Sequence, residues 1–336
     1  MHDRRMDAPA QQHQYSIHYL RALAALMVVA CHCFGYGIVP VADMRAVEWL
    51  RHGVAIFFVI SGFVMVVSTT GRDIGAGEFL MRRLIRIVPL YWLATLAWGL
   101  LWSDLAPDRL IPSLAFVFLL DPVLPMARPP VLAVGWSLNF EMFFYLIFAA
   151  ALFVPQQWRL YAACAMLLAY AALASLLPLP PQAAFLANPL LALFAGGMAM
   201  AHFNLRLPVI CAPLGLAMMA LVPYATDSVV AAVLVPAMLI VLGARSLDGR
   251  LPHWKLPALL GDASYSIYLT HIFVMQFIAW YVAPHLPGVA LVPLAIVAAS
   301  VFGVAVYRMV ELPITSFLRA ALRARRQRLA LSEQAA

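Results

Sequence analysis

Two residues that hydrocarbon rejects, Arg21 and His32, stand inside one apolar stretch from Ser16 to Gly35. An arginine at the centre of a membrane helix costs roughly 2.5–3.5 kcal/mol on insertion scales, so an intramembrane Arg and His in one helix read as a site. Eleven residues at about 100° each return to within about 20° of the start, which puts both on one helix face, about 16 Å apart. An elongated substrate fits between them.

Four further groups carry polar chemistry at apolar positions. In Trp136-Ser137-Leu138-Asn139-Phe140-Glu141 a carboxylate enters an apolar run, and Ser137, Glu141 and Tyr145 recur every four residues along one face. Glu141 falls at a depth comparable to His32, where a carboxylate beside an imidazole fixes its tautomer and raises its basicity; the alternative is a charge pair joining two helices. Arg82, Arg83 and Arg86 precede Pro89-Leu90-Tyr91-Trp92. Arginines three or four apart share a helix side and grip phosphate bidentately, whereas ordinary flanking charge accounts for one or two of them. Ser264, Tyr268 and His271 form a stripe that meets substrate or joins helices by hydrogen bonds. Glu311 with Pro313 reads either as a partner for the arginine cluster or as a helix end.

These residues need a membrane scaffold. The chain is 65% hydrophobic and 11% charged, against roughly 25% charged in a soluble domain, and its mean hydropathy is +0.90. An all-α polytopic membrane protein follows, with ten expected spans: Ser16–Gly35, Arg51–Thr70, Leu84–Trp102, Val131–Val154, Arg159–Leu177, Ala183–His202, Pro208–Tyr224, Val229–Ala244, Tyr265–Val282 and Val289–Val310. Ser61-Gly62 in the second allows close helix approach.

Charge placement orients the spans, because short cytoplasmic loops collect Lys and Arg. With the amino terminus inside, the inner segments hold Arg4, Arg5, Arg72, Arg82, Arg83, Arg86, Arg159, Arg206, Arg245, Arg250, Lys255, Arg308 and the tail arginines Arg319 to Arg328. The outer ones keep Arg45, Arg51, Arg109 and Arg128, and the longest outer loop, Ser103 to Pro130, carries Asp104, Asp108 and Asp121. Both termini are therefore expected in the cytoplasm. Residues 1–15 form an N-terminal segment, 16–313 the membrane domain and 314–336 a basic tail, read as a positive-inside anchor or an arm for anionic lipid. The net charge of +7 is an orientation signal and calls for no nucleic acid.

Cys31, Cys33, Cys164 and Cys211 all fall in expected spans and imply no disulfide framework. Cys31-His32-Cys33 does not read as a metal site, since residues two apart on a helix diverge by about 160°.

Together, Arg21 and His32 with ten residues between them, the Phe57-to-Phe63 run, Arg83 with Arg86 before Pro89-Leu90-Tyr91-Trp92, Trp136-Ser137-Leu138 with Glu141, and the Ser264-to-His271 segment resemble the membrane-bound acyltransferase type 3 family over about Tyr15 to Pro313. The short length and the Tyr19-Leu20-Arg21-Ala22-Leu23-Ala24-Ala25 opening look most like its exopolysaccharide members. The resemblance implies O-acyl transfer, acetyl above all, from acyl-coenzyme A to a hydroxyl of a glycan or lipid-linked saccharide at the bacterial inner membrane. In that reading Arg82, Arg83 and Arg86 hold the donor phosphates. Pantetheine passes Arg21, His32 acts as base or takes up the acyl group, and Glu141 supports it. Ser137, Tyr268 and His271 are candidate substrate contacts, and no metal is implied. One departure stands out: members often carry an acidic residue where this chain has Ala55. Two other classes share the same composition. A flippase of a lipid-linked saccharide would perform no thioester chemistry, and an envelope assembly partner would tolerate loss of His32.

Overall fold

The structure is a computed structural model and describes residues 15–35, 38–41, 43–102, 104–120, 127–178 and 180–335. Of the expected N-terminal segment only Tyr15 is among them; Arg4, Arg5, Asp121 and the side chains of Arg326 and Arg328 lie outside the described residues.

Apolar runs become helices because hydrocarbon offers a backbone amide no partner but its own carbonyls. Helix α1 spans Tyr15–Gly35, and the short α2 (Arg45–Glu48) continues through a 3-10 turn into α3 (Gly53–Thr69). Next come α4 (Ala76–Leu101), α5 (Pro107–Leu114), α6 (Trp136–Ala151), α7 (Arg159–Leu176), α8 (Pro181–Leu186) and α9 (Leu191–His202). The carboxyl-terminal half contains α10 (Cys211–Leu221), α11 (Val235–Arg245), α12 (Lys255–Asp262), α13 (Ser264–Tyr281), α14 (Gly288–Val306) and α15 (Leu312–Ala335). Extended pairing among the described residues is one antiparallel ribbon, Leu119 opposite Arg128 and Leu120 opposite Ala127.

Seven helices among the described residues are long and apolar enough to cross a membrane, against ten expected spans. The expected spans at Pro208–Tyr224 and Val229–Ala244 fall on shorter apolar helices, Cys211–Tyr224 and Val230–Arg245. The one at Tyr265–Val282 falls on α13, which carries Ser264, Tyr265, Ser266, Tyr268, Thr270 and His271 in its first half. Five of those side chains bond to other helices or to the chain leading into them, so this helix can be polar without exposing that polarity.

Two helices run past the expected limits. Helix α4 begins at Ala76, eight residues before the expected Leu84, with Glu78 in its first turn, where the helix dipole favours a carboxylate. Arg82, Arg83 and Arg86 thus stand within a helix. Nor does the helix end at Glu311–Pro313: α14 and α15 join through a π-helical turn, Tyr307–Glu311, into one continuous helix. Pro313 has no amide hydrogen to donate, and the wide turn just ahead of it is where the α register breaks.

Helix α1 is central and packs against α3, α11, α12, α13 and α14. Its first turn is pinned: Ser16 Oγ donates to Asp248 Oδ1 at 2.6 Å, Tyr19 OH donates to the Pro252 carbonyl at 2.7 Å, and His18 Nε2 lies 3.2 Å from Asp262 Oδ1. Helices α3 and α9 cross at their glycines. A Cβ on Gly62 would stand 2.0 Å from the Phe194 carbonyl oxygen, and one on Gly197 would stand 2.0 Å from that of Val59. Helices α7 and α14 are peripheral and turn Leu168, Leu176, Val297 and Val301 outward, as lipid permits.

Candidate active site

Helices α1, α3, α4, α6 and α13 enclose a cavity of about 110 Å³ with an apolar wall of Phe57, Phe58, Ile60 and Met65. Its polar groups are Arg21, Ser61, Arg83, Arg86, Ser137, Glu141, Tyr145, Ser264, Tyr265 and Tyr268. Of the expected site residues, Arg21, Arg83, Arg86, Ser137, Glu141 and Tyr268 therefore meet in one space, although they come from four stretches of sequence. Arg82, His32 and His271 do not line it.

Most of these polar groups are held by a neighbour. Arg21 Nη2 donates to Ser264 Oγ at 3.0 Å. Glu141 Oε1 accepts from Ser61 Oγ at 3.0 Å and from the Tyr145 hydroxyl. Tyr268 OH lies 2.7 Å from the Val134 carbonyl and 2.8 Å from Ser137 Oγ. A carbonyl only accepts, so the Tyr268 proton points at Val134 and Ser137 is the donor to the Tyr268 oxygen. Arg21 lies in the electrostatic field of Arg86, opposed by Glu311, Glu141 and Asp262. Serines 61 and 264 and Tyr145 are site residues that the sequence reading left aside or used only to mark a face or a stripe. Small hydroxyls in apolar runs give no signal until their partners are known.

Arg83 and Arg86 also border a second cavity of about 300 Å³, with Arg82, Glu78, Arg319 and Arg323. Arg83 Nη2 donates to Ser68 Oγ at 2.7 Å, and its guanidinium lies over the Phe79 and Tyr145 rings at 5.3 and 5.9 Å. Arg82, one residue away and so turned by about 100°, pairs with Glu78. Glu311 sits in the π-helical turn and accepts from Ser266 Oγ at 2.6 Å, with Arg86, Arg21 and Arg319 in its electrostatic field. It is therefore no helix end.

His32 has a different neighbour from the one its depth suggested. Its Nδ1 lies 3.1 Å from Nε2 of the fully buried His271 and 2.9 Å from the Val28 carbonyl, while His271 Nδ1 lies 2.7 Å from the Tyr268 carbonyl. Both carbonyls require a donor, so each Nδ1 carries a proton. His271 Nε2 is then an acceptor for His32 Nδ1–H, and Nε2 is the basic nitrogen of His32. Glu141 instead accepts within the cavity, where Arg21 senses its charge. Arg21 meets Ser264 and His32 meets His271, so α1 and α13 run parallel and face each other along the whole strip. Tyr268, whose ring centroid is 6.2 Å from that of His271, links the cavity to the histidine pair. Ala55 is buried in the apolar core and does not line the cavity.

Known proteins can be set beside this geometry. The chain is 36% identical over 283 residues to the exopolysaccharide production protein ExoZ of Rhizobium meliloti, covering 78% of this chain and 88% of that protein. It is 33% identical over 149 residues to the acyltransferase MdmB of Streptomyces mycarofaciens, covering 38% of this chain and 36% of that one. No solved structure matches. Residues 14–308, which hold both histidines, the first cavity and Arg82, Arg83 and Arg86, match the acyltransferase domain of the type 3 family, and the chain belongs to that family.

Proposed function

We propose that this protein is an integral-membrane O-acyltransferase that moves an acyl group, acetyl in the first instance, from acyl-coenzyme A to a hydroxyl of a cell-envelope or exopolysaccharide glycan. It would cross the bacterial inner membrane ten times with both termini in the cytoplasm, where the arginine-lined cavity meets the donor. One observation carries the donor half: Arg83 and Arg86 border both cavities, so a molecule whose phosphates they grip can extend its arm toward Arg21. The exopolysaccharide role of the ExoZ relative supports the acceptor half.

The chemistry balances without a further reactant. The acceptor oxygen attacks the thioester carbon as His32 Nε2 takes its proton, the carbon–sulfur bond breaks, and that proton passes to the departing thiolate. His271 holds the His32 tautomer that makes this possible, and Arg21 steadies the polar arm or the developing negative charge. Ser137 and Tyr268 face the passing substrate, whereas His271, fully buried behind His32, acts on the base.

Incubating the purified protein with labelled acetyl-coenzyme A and total cell glycan is expected to leave an alkali-labile label on the glycan. Absence of that label, with the protein folded, would remove the enzyme reading and leave lipid-linked saccharide transport to be tested. A second expected result concerns the donor alone. Arg83→Gln with Arg86→Gln lowers coenzyme A affinity by about tenfold to a hundredfold in protein that remains folded, since hydrogen bonds to charged groups are worth about 1.5–3 kcal/mol. Unchanged affinity would return these arginines to the role of orientation signals.

A further inference from the structure

The second cavity has two walls of different origin. One is α4, with Arg82, Arg83 and Arg86; the other is α15, which packs against α4 and adds Arg319 and Arg323. The last two lie beyond residues 14–308, outside the part of the chain shared with the family. They are four residues apart, so they project from one side of α15. Flanking charge that only orients a membrane helix has no reason to converge, yet five guanidiniums line this space with one carboxylate, Glu78, which pairs with Arg82. Arg319 lies in the field of Arg86 and Arg323, and Arg83 in that of Arg86 and Arg319. Such repulsion is relieved by a ligand with several negative charges.

The division between the cavities separates two roles. Arg83 and Arg86 touch both spaces and hold what threads between them, whereas Arg319 and Arg323 touch only the second and suit a phosphate set off the threading axis. Coenzyme A has both kinds: a pyrophosphate in line with pantetheine, and a 3′-phosphate branching from the ribose. We propose that Arg319 and Arg323 on α15 bind the 3′-phosphate of the donor. This rests on the acyl-coenzyme A reading above.

Titration of the purified full chain with coenzyme A and with 3′-dephospho-coenzyme A tests it. Wild-type protein is expected to bind coenzyme A at least about tenfold more tightly than the dephospho form. Arg319→Gln with Arg323→Gln is expected to erase that preference while the dephospho form binds as tightly as to wild type, which also shows that the variant is folded. Equal wild-type affinity for both ligands would overturn the 3′-phosphate site alone; binding of neither would overturn the donor reading itself. A double variant that keeps the wild-type ratio but loses binding to phosphatidylglycerol vesicles would assign these arginines to the membrane surface, and the inference would fall.

Discussion

His32→Ala is expected to lower acyl transfer by about 10²- to 10⁴-fold, the usual worth of a positioned base, with coenzyme A affinity staying within about twofold of wild type. The split follows from placement. Arg83 and Arg86, the proposed donor contacts, line both cavities, while His32 stands outside them on the strip shared by α1 and α13. Substitution of the imidazole therefore removes the proton acceptor without touching Arg83 or Arg86. The neighbouring histidine sharpens the test. His271→Leu removes the acceptor for His32 Nδ1–H and is expected to lower kcat by roughly five- to a hundredfold with KM unchanged, the cost of one unmet buried hydrogen bond. His271→Gln presents a carbonyl oxygen to the same proton and is expected to restore part of the loss. A purely structural role for His271 would make both variants lose stability together and leave kcat per folded molecule unmoved. Full transfer by His32→Ala would end the assignment of the base.

The second large effect is on folding. Gly62→Leu is expected to yield no monodisperse protein, and Gly62→Ala a markedly lower melting temperature. A methyl group there would meet the Phe194 carbonyl oxygen at 2.0 Å, and a backbone atom has no rotamer by which to step aside. Overpacking of a tight core costs about 1–3 kcal/mol even when side chains can shift; here two helices must separate. Gly197→Ala strikes the same crossing from the other side, against Val59. The double alanine variant is therefore expected to lose less than the two single losses combined, because once α3 and α9 have moved apart the second methyl finds room. Melting curves of the three alanine variants decide it. Wild-type stability for Gly62→Ala would mean that the crossing is slack.

How much of this was legible in the sequence varies by residue. Arg21 and His32 announced themselves as polar intruders in an apolar run, because their cost depends on composition alone. The shared side of Arg83 and Arg86 was legible for a similar reason: spacing puts them on one face wherever the helix begins. Glu141 was placed beside His32 by depth, and depth cannot tell which way a helix is rotated; the structure aims its carboxylate at Ser61 and Tyr145. His271 was read as part of a stripe, and its partner could not be known without the packing of α13 on α1. The spans were legible as apolar runs, but those on α10, α11 and α13 gave weaker elements, short in two cases and polar in the third. Continuity through Glu311 was hidden because Glu-Leu-Pro resembles a terminus, and a π-helical turn leaves no mark in composition.

That turn works as a phase adjuster. One residue more than an α-turn needs is housed between Tyr307 and Glu311, so everything beyond it is set back by about 100° around the axis relative to an unbroken α-helix. Glu311 can thereby face Ser266 while, two turns further on, Arg319 faces the α4 arginines. The rod from Ala290 to Arg325 thus presents differently angled faces to two neighbours. A single-residue deletion within the turn would therefore close it to an α-turn and leave the arginines of α15 facing their cavity.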